Sequence, residues 1–186
     1  VYGDARLDAG HTGYLKERGA EKIRRNIAML EYDAEMHGRT AMHAFYLADC
    51  YFGLKDYAKT LILSKEALQG DIAFIGEESK ICHQIIESMR ALHYSDDEML
   101  DVANEALKKF PQLPDFYAQR GMILCGLTRY REAAESFEEA LRRYTDDHLS
   151  THDTSFFNDA VAALVAERLS LICQELGEPA AAQMWM

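Results

Sequence analysis

Proline is nearly missing from this chain: three among 186 residues, at Pro111, Pro114 and Pro179. Long stretches therefore run without a helix breaker, and they are rich in Ala, Leu, Glu, Lys and Arg, which are good helix formers. Sustained apolar–polar alternation is also absent, so no segment carries the period of a half-buried strand. No apolar run approaches the roughly 20 residues of a membrane span, and no signal-peptide pattern opens the chain. Cysteine is sparse and dispersed: Cys50, Cys82, Cys125 and Cys173 form no C-x-x-C pair. Each sits in an apolar helical run and reads as a small buried residue in a reducing compartment rather than a disulfide or zinc ligand. Basic residues are outnumbered, 20 against 31 acidic, for a formal charge of −11. That balance repels a phosphate backbone and argues against nucleic acid as a partner. The local basic runs, Lys22, Arg24 and Arg25 and then Arg142 and Arg143, are interleaved with glutamates and read as solvated helix faces. Cytoplasm is the expected location.

What is present is a hydrophobic fraction of 48%, ample for a core, and a repeat. Ala106 and Ala140 are 34 residues apart, and Ala67 and Ala106 are 39 apart. The clearest unit runs from Asp115 to Tyr144, with Tyr117, Gly121, Leu124, Tyr130, Ala133, Phe137 and Ala140 at recurring offsets. Two antiparallel helices approach closely only where the facing side chains are small. Gly121 and Ala133 suit such a crossing, Ala140 suits contact with the next hairpin, and Tyr117, Leu124 and Phe137 fill the layers between. The first unit, Ala41 to Gln69, places Ala48, Tyr51, Tyr57, Ala67 and Leu68 correspondingly, with a turn at Gly53–Tyr57. It departs at Thr60 and Ser64, which suggest a looser hairpin. The middle unit is degenerate, with helices expected at about 78–94 and 97–110, the second opened by a Ser95/Glu98 capping box. Residues 70–77 read as an insertion whose Ile72, Phe74 and Ile75 cover the neighbouring hairpin or meet a partner.

These offsets resemble the tetratricopeptide repeat. The resemblance implies an all-α, right-handed α-solenoid of helix-turn-helix repeats with flanking or capping helices. Residues 1–18 read as a linker compatible with the end of an upstream catalytic domain, and 19–186 as the helical repeat domain. The units are expected at about 41–69, 78–110 and 115–144. One flanking helix is expected at about 20–36 and a capping helix at about 155–177. The last of these is apolar around much of its circumference, from Ala160 to Ile172, and either caps the stack or meets a second copy in a homodimer. The tail from Pro179 to Met186, with Trp185, frays unless packed.

In this architecture the first helices of the hairpins line a groove suited to an extended peptide or a partner helix. The repeat register points Phe45, Asp49 and Phe52 of unit one and Ala118, Met122 and Cys125 of unit three at it. With the middle turn shortened by two residues, Ile86, Arg90 and His93 join them. Repeats that clamp a C-terminal carboxylate use Asn and Lys at fixed groove positions. Here Tyr46, Asp49, Gln119 and Met122 stand instead, without paired donors. The groove is open to a protein or peptide partner, or filled by a neighbouring domain of the same protein.

His11-Thr12-Gly13-Tyr14, followed by Lys22, Arg25-Asn26 and Leu30-Glu31, resembles the junction in bacterial family 2 glycosyltransferases where a His-x-Gly-Tyr element leads through a Lys-x-x-Arg-Asn helix into C-terminal tetratricopeptide repeats. By that resemblance this chain, which opens on Val1, is the non-catalytic C-terminal part of such an enzyme. His11, Gly13 and Tyr14 are then its linker motif. The family's metal-binding acids and catalytic base have no counterpart here, so no catalytic residue, metal ligand or cofactor is assigned. His11 itself reads as a hydrogen-bonded linker residue, or as the edge of a donor site in the intact enzyme. Asp146, Asp147, His148, His152 and Asp153 form a dense acid–histidine segment, read as a loop whose acids cap the final helix rather than as a metal site. Two functions remain open: docking of an acceptor or partner for a glycosyltransferase, and adaptor work in an unrelated scaffold or regulatory protein.

Overall fold

In a computed structural model the chain is described over residues 16–70, 77–145 and 155–178 and at residue 183. The described residues form eight α-helices and no strand. They are α1 (Lys16–His37), α2 (Ala41–Gly53), α3 (Tyr57–Ala67), α4 (Glu77–Ala91), α5 (Asp96–Lys109), α6 (Pro114–Gly126), α7 (Tyr130–Thr145) and α8 (Asp159–Glu175). Each packs mainly on its neighbours in the chain, while α2 also touches α4, and α4 touches α6. The result is a stack of three hairpins, α2–α3, α4–α5 and α6–α7, with α1 laid against α2 and α8 against α7. The insertion with Ile72, Phe74 and Ile75, the acid–histidine segment 146–153, the His11-to-Tyr14 motif and Trp185 lie outside the described residues.

Local sequence explains where the helices begin. Thr40 and His43 form a reciprocal capping box on α2, Ser95 and Glu98 form another on α5, and Asp56 accepts the Lys59 N–H at the start of α3 (3.2 Å). Pro114 opens α6, where its missing N–H is no loss. The helices inside each hairpin are joined by one repeated turn. Its residue in left-handed conformation is Lys55 (φ 61°), His93 (φ 59°) or Thr128 (φ 57°). In each case the preceding N–H bonds four residues back, that of the left-handed residue three back, and the next five back. These bonds satisfy carbonyls orphaned at the helix end.

Counting seven residues back from each left-handed position gives Ala48, Ile86 and Gly121, all buried, at the crossing of the two helices. The corresponding places on the second helices hold Ser64, Ala103 and Phe137, each fully buried. Volume is thus exchanged across the crossing: Gly121 lies under the Phe137 ring, and Ile86 occurs where the second helix carries an alanine. Thr60 and Ser64, departures from the repeat pattern, are interior residues, and the Thr60 hydroxyl is satisfied by the Asp56 carbonyl at 2.9 Å. The repeat alanines Ala67, Ala106 and Ala140 are likewise buried, and one core runs along the stack through Phe45, Ile81, Phe116 and Leu169. Burying each such large side chain stabilises the fold by roughly 1.5–3 kcal/mol.

The final helix is more than a lid. α8 ends in the same turn as α2, α4 and α6: Leu176, Gly177 (φ 74°) and Glu178 bond back four, three and five residues. Its end thus matches the ends of the three hairpins' first helices. The cysteines are unpaired; Cys82 and Cys173 are buried, Cys50 and Cys125 half-buried. Burial pushes the Cys82 thiol up to about 11.

Candidate functional site

A hollow of about 200 Å³ opens between α4, α6 and α8. Its floor is polar and comes from α4 and α6. The Gln119 amide donates to His83 Nδ1 at 3.0 Å and to Glu87 at 3.2 Å, and Arg90 donates to the same Glu87 oxygen at 2.6 Å. This arrangement fixes His83 as an acceptor at Nδ1, the neutral imidazole. Burial is the chief cause holding its pKa below the ordinary histidine value, opposing the pull of Glu87 and Asp115 upward. Phe156 stacks on the imidazole with ring centroids 4.6 Å apart.

The walls are apolar and owe their position to a buried acid. Asp115, in the first turn of α6, accepts the Ser155 hydroxyl at 2.6 Å and the Phe156 N–H at 2.7 Å. Those bonds pin the approach to α8 across α6, so that Phe156, Phe157, Val161, Leu164 and Val165 close the hollow opposite Ala118 and Met122. Met122, Phe156 and Leu164 remain exposed at its mouth. Chemically the site offers apolar contact around a polar floor in which His83, Glu87, Arg90 and Gln119 are linked, while the buried Gln119 Oε1 and Arg90 Nη2 have no hydrogen-bond partner among the described residues.

A second, wider hollow of about 580 Å³ lies at the other end of the stack, between α1 and α2. Asn26, Met29, Leu30, Tyr32 and Asp33 line it from one side and Tyr46, Asp49 and Cys50 from the other. Asp49 accepts from Gln84 at 2.9 Å and from Lys80 at 2.8 Å, which ties the two hollows' helices together. Asp33 bridges His37 at 2.9 Å and His43 at 2.8 Å, and those bonds, His43 first, hold its carboxyl below the usual range. His43 at once caps α2 and grips α1.

The groove residues expected from the repeat register are dispersed. Asp49 lines the α1–α2 hollow, and Arg90, Ala118 and Met122 line the hollow at α8. Phe45 is only 2% exposed, with Lys80 set over its ring, so it is core. Phe52 packs edge-on to Tyr57 at the base of its own hairpin. Ile86 is 0% exposed, at the α4–α5 crossing, and His93 is the left-handed residue of the turn. Those two positions presuppose a turn shortened by two residues. The middle turn instead keeps the others' spacing from the first helix to the left-handed residue and is one residue longer before α5, which puts His83, Glu87 and Arg90 on the groove. Gln119 stands at a groove position already legible in the sequence, whereas no motif marks His83 or Asp115 as part of the site. Counting back from the turn, by analogy with Ala118, would have found His83.

No family model matches the chain, and no curated protein matches it in sequence. Solved structures do match. The crystal structure of MamA aligns with a TM-score of 0.69 at 10% identity, over 91% of this chain and 88% of that one. YrrB, described as a TPR protein with an unusual peptide-binding site, aligns at 0.65 and 12% identity, over 90% and 76%. MamA from Desulfovibrio magneticus RS-1, from its residue 41 onward, aligns at 0.65 and 11% identity, over 95% and 92%. The fold is that of the tetratricopeptide repeat. At such identities the likeness concerns the fold alone.

Proposed function

We propose that this solenoid is a non-catalytic protein-interaction module whose hollow at α4, α6 and α8 receives an apolar segment of a partner protein. The observation that carries this reading is the exposed apolar mouth, Met122, Phe156 and Leu164, around a linked polar floor whose buried Gln119 Oε1 and Arg90 Nη2 are left without a hydrogen-bond partner among the described residues. A peptide-binding site is described for YrrB, which shares the fold. The hollow is small enough to take one large side chain, so affinity has to come from an adjoining strip of the partner as well.

Photo-cross-linking in cells from a reactive residue placed at Leu164 is the direct test. The adduct should be lost in Met122→Asp and retained in Ile62→Asp, which changes a more exposed apolar residue on α3. An adduct indifferent to Met122→Asp, or more sensitive to Ile62→Asp, refutes the assignment. The finer reading, that the module is the C-terminal region of a bacterial family 2 glycosyltransferase and holds its acceptor, a partner or its own catalytic domain in the cytoplasm, rests on the resemblance of residues 11–31. The open reading frame upstream of Val1 tests it.

A further inference from the structure

The stripe of large side chains on α1 is covered by none of the described residues. Met29, Tyr32 and Met36 are 63%, 64% and 59% exposed, and Tyr46 of α2, across the wide hollow, is 45% exposed. Lys22 and Arg25 continue the same line toward the N-terminus, at the 3-and-4 spacing that keeps residues on one helix face. Charge on this helix is segregated. Its first half carries Lys16, Arg18, Lys22, Arg24 and Arg25 against Glu17 and Glu21, a net positive charge, whereas its second carries Glu31, Asp33 and Glu35 with no lysine or arginine. That order opposes the helix dipole, which favours acids near the start and bases near the end. Lys22, Arg24 and Arg25 form no ion pair with any described residue.

We propose that α1 is a self-association surface, pairing antiparallel with α1 of a second copy about a two-fold axis near Met29. Antiparallel pairing is what the charge order selects. It lays the basic half of each helix along the acidic half of the other, with Lys22 and Arg25 reaching the partner's Glu35 and Asp33. The stems of those two side chains then cover the partner's Met36 and Tyr32. Parallel pairing would set Lys22 against Lys22 and Arg25 against Arg25. The interface is isologous and closes as a dimer, leaving the hollow at α8 free. A 22-residue helix is about 33 Å long and presents a strip about 10 Å wide, well under the roughly 800 Å² per partner of a standard interface. The dimer is accordingly weak, with Kd on the order of 10–100 µM.

Sedimentation of the whole chain from 5 to 500 µM, in about 50 mM salt, should show a monomer–dimer equilibrium in that range, weakened several-fold by about 500 mM salt as screening shortens. Lys22→Glu with Arg25→Glu should weaken it at least about tenfold, and so should Glu35→Lys. All three side chains are exposed, and circular dichroism confirms that the variants fold. Mixing a Lys22→Glu chain with a Glu35→Lys chain restores the dimer, because the two exchanged charges again face each other while Arg25 of each chain keeps an acidic neighbour across the axis. Oxidative cross-linking adds the orientation: Met29→Cys, at the axis, should yield a covalent dimer above the wild-type background, and Met36→Cys should not. A chain monomeric at 500 µM overturns the proposal. So does a dimer indifferent to both charge variants, one abolished by Leu164→Asp instead, or one cross-linked equally at both positions. None of these outcomes bears on partner binding at the α8 hollow, which is read separately in Met122→Asp.

Discussion

Gly121→Ala isolates the close approach of α6 and α7. A Cβ built there meets the Phe137 ring at 2.5, 2.6 and 2.9 Å, where ordinary contact begins at 3.4 Å. The ring must withdraw by about 0.9 Å, and Phe137 is fully buried, so neighbouring core side chains must shift with it. Overpacking of this kind costs about 1–3 kcal/mol, offset by the roughly 1 kcal/mol that alanine gains over glycine inside a helix. The net expectation is a loss of about 1 kcal/mol, or about 2–4 °C in Tm for a domain of this size. Gly19→Ala supplies the control, since Gly19 lies in α1 with nothing within 4 Å of its would-be Cβ. That variant should gain about 0.5–1 kcal/mol from helix propensity alone. Urea titrations followed by circular dichroism measure both, and Phe137→Leu in the Gly121→Ala background should recover part of the loss through coupling. If Gly121→Ala stabilises the protein as Gly19→Ala does, the helices do not cross at this residue and the register of the third hairpin is wrong.

Two further outcomes follow from local geometry. Thr128 is a β-branched residue in left-handed conformation, so Thr128→Gly should stabilise the α6–α7 hairpin by about 1 kcal/mol, and a loss in the same titration would contradict the turn. His83 takes a proton less readily in the fold than in the unfolded chain, chiefly because it is buried. Its contribution is therefore complete above the ordinary histidine pKa near 6.5 and declines as pH falls below it, by at most about 1.4 kcal/mol per pH unit. His83→Gln should flatten that part of the stability–pH curve, and unchanged curvature between about pH 7 and 5 would contradict the burial.

Much of the fold could be read from residues that constrain backbone or spacing. Gly121 under Phe137, the alanines 34 and 39 apart and the Ser95/Glu98 box each state a local requirement, and the helices they predict are those observed within a few residues. The groove was less legible. Its lining depends on where the middle turn places its left-handed residue, and His93 carries no glycine to announce that role. Nor does any sequence pattern tie Asp115 to Ser155 and Phe156, forty residues away, although that bond sets the wall of the hollow.

Composition and period alone determined that this chain is helical, that its helices pair, and which small side chains lie between them, because close packing of neighbours in the chain is a short-range demand. Only the tertiary structure decided which polar groups bond one another across α4 and α6, that α8 ends in the turn that also closes α2, α4 and α6, and that the face of α1 carrying Met29, Tyr32 and Met36 is left exposed by the described residues. Those features depend on distances between residues far apart in sequence, and the free energy of such contacts is fixed by the whole stack rather than by any one segment.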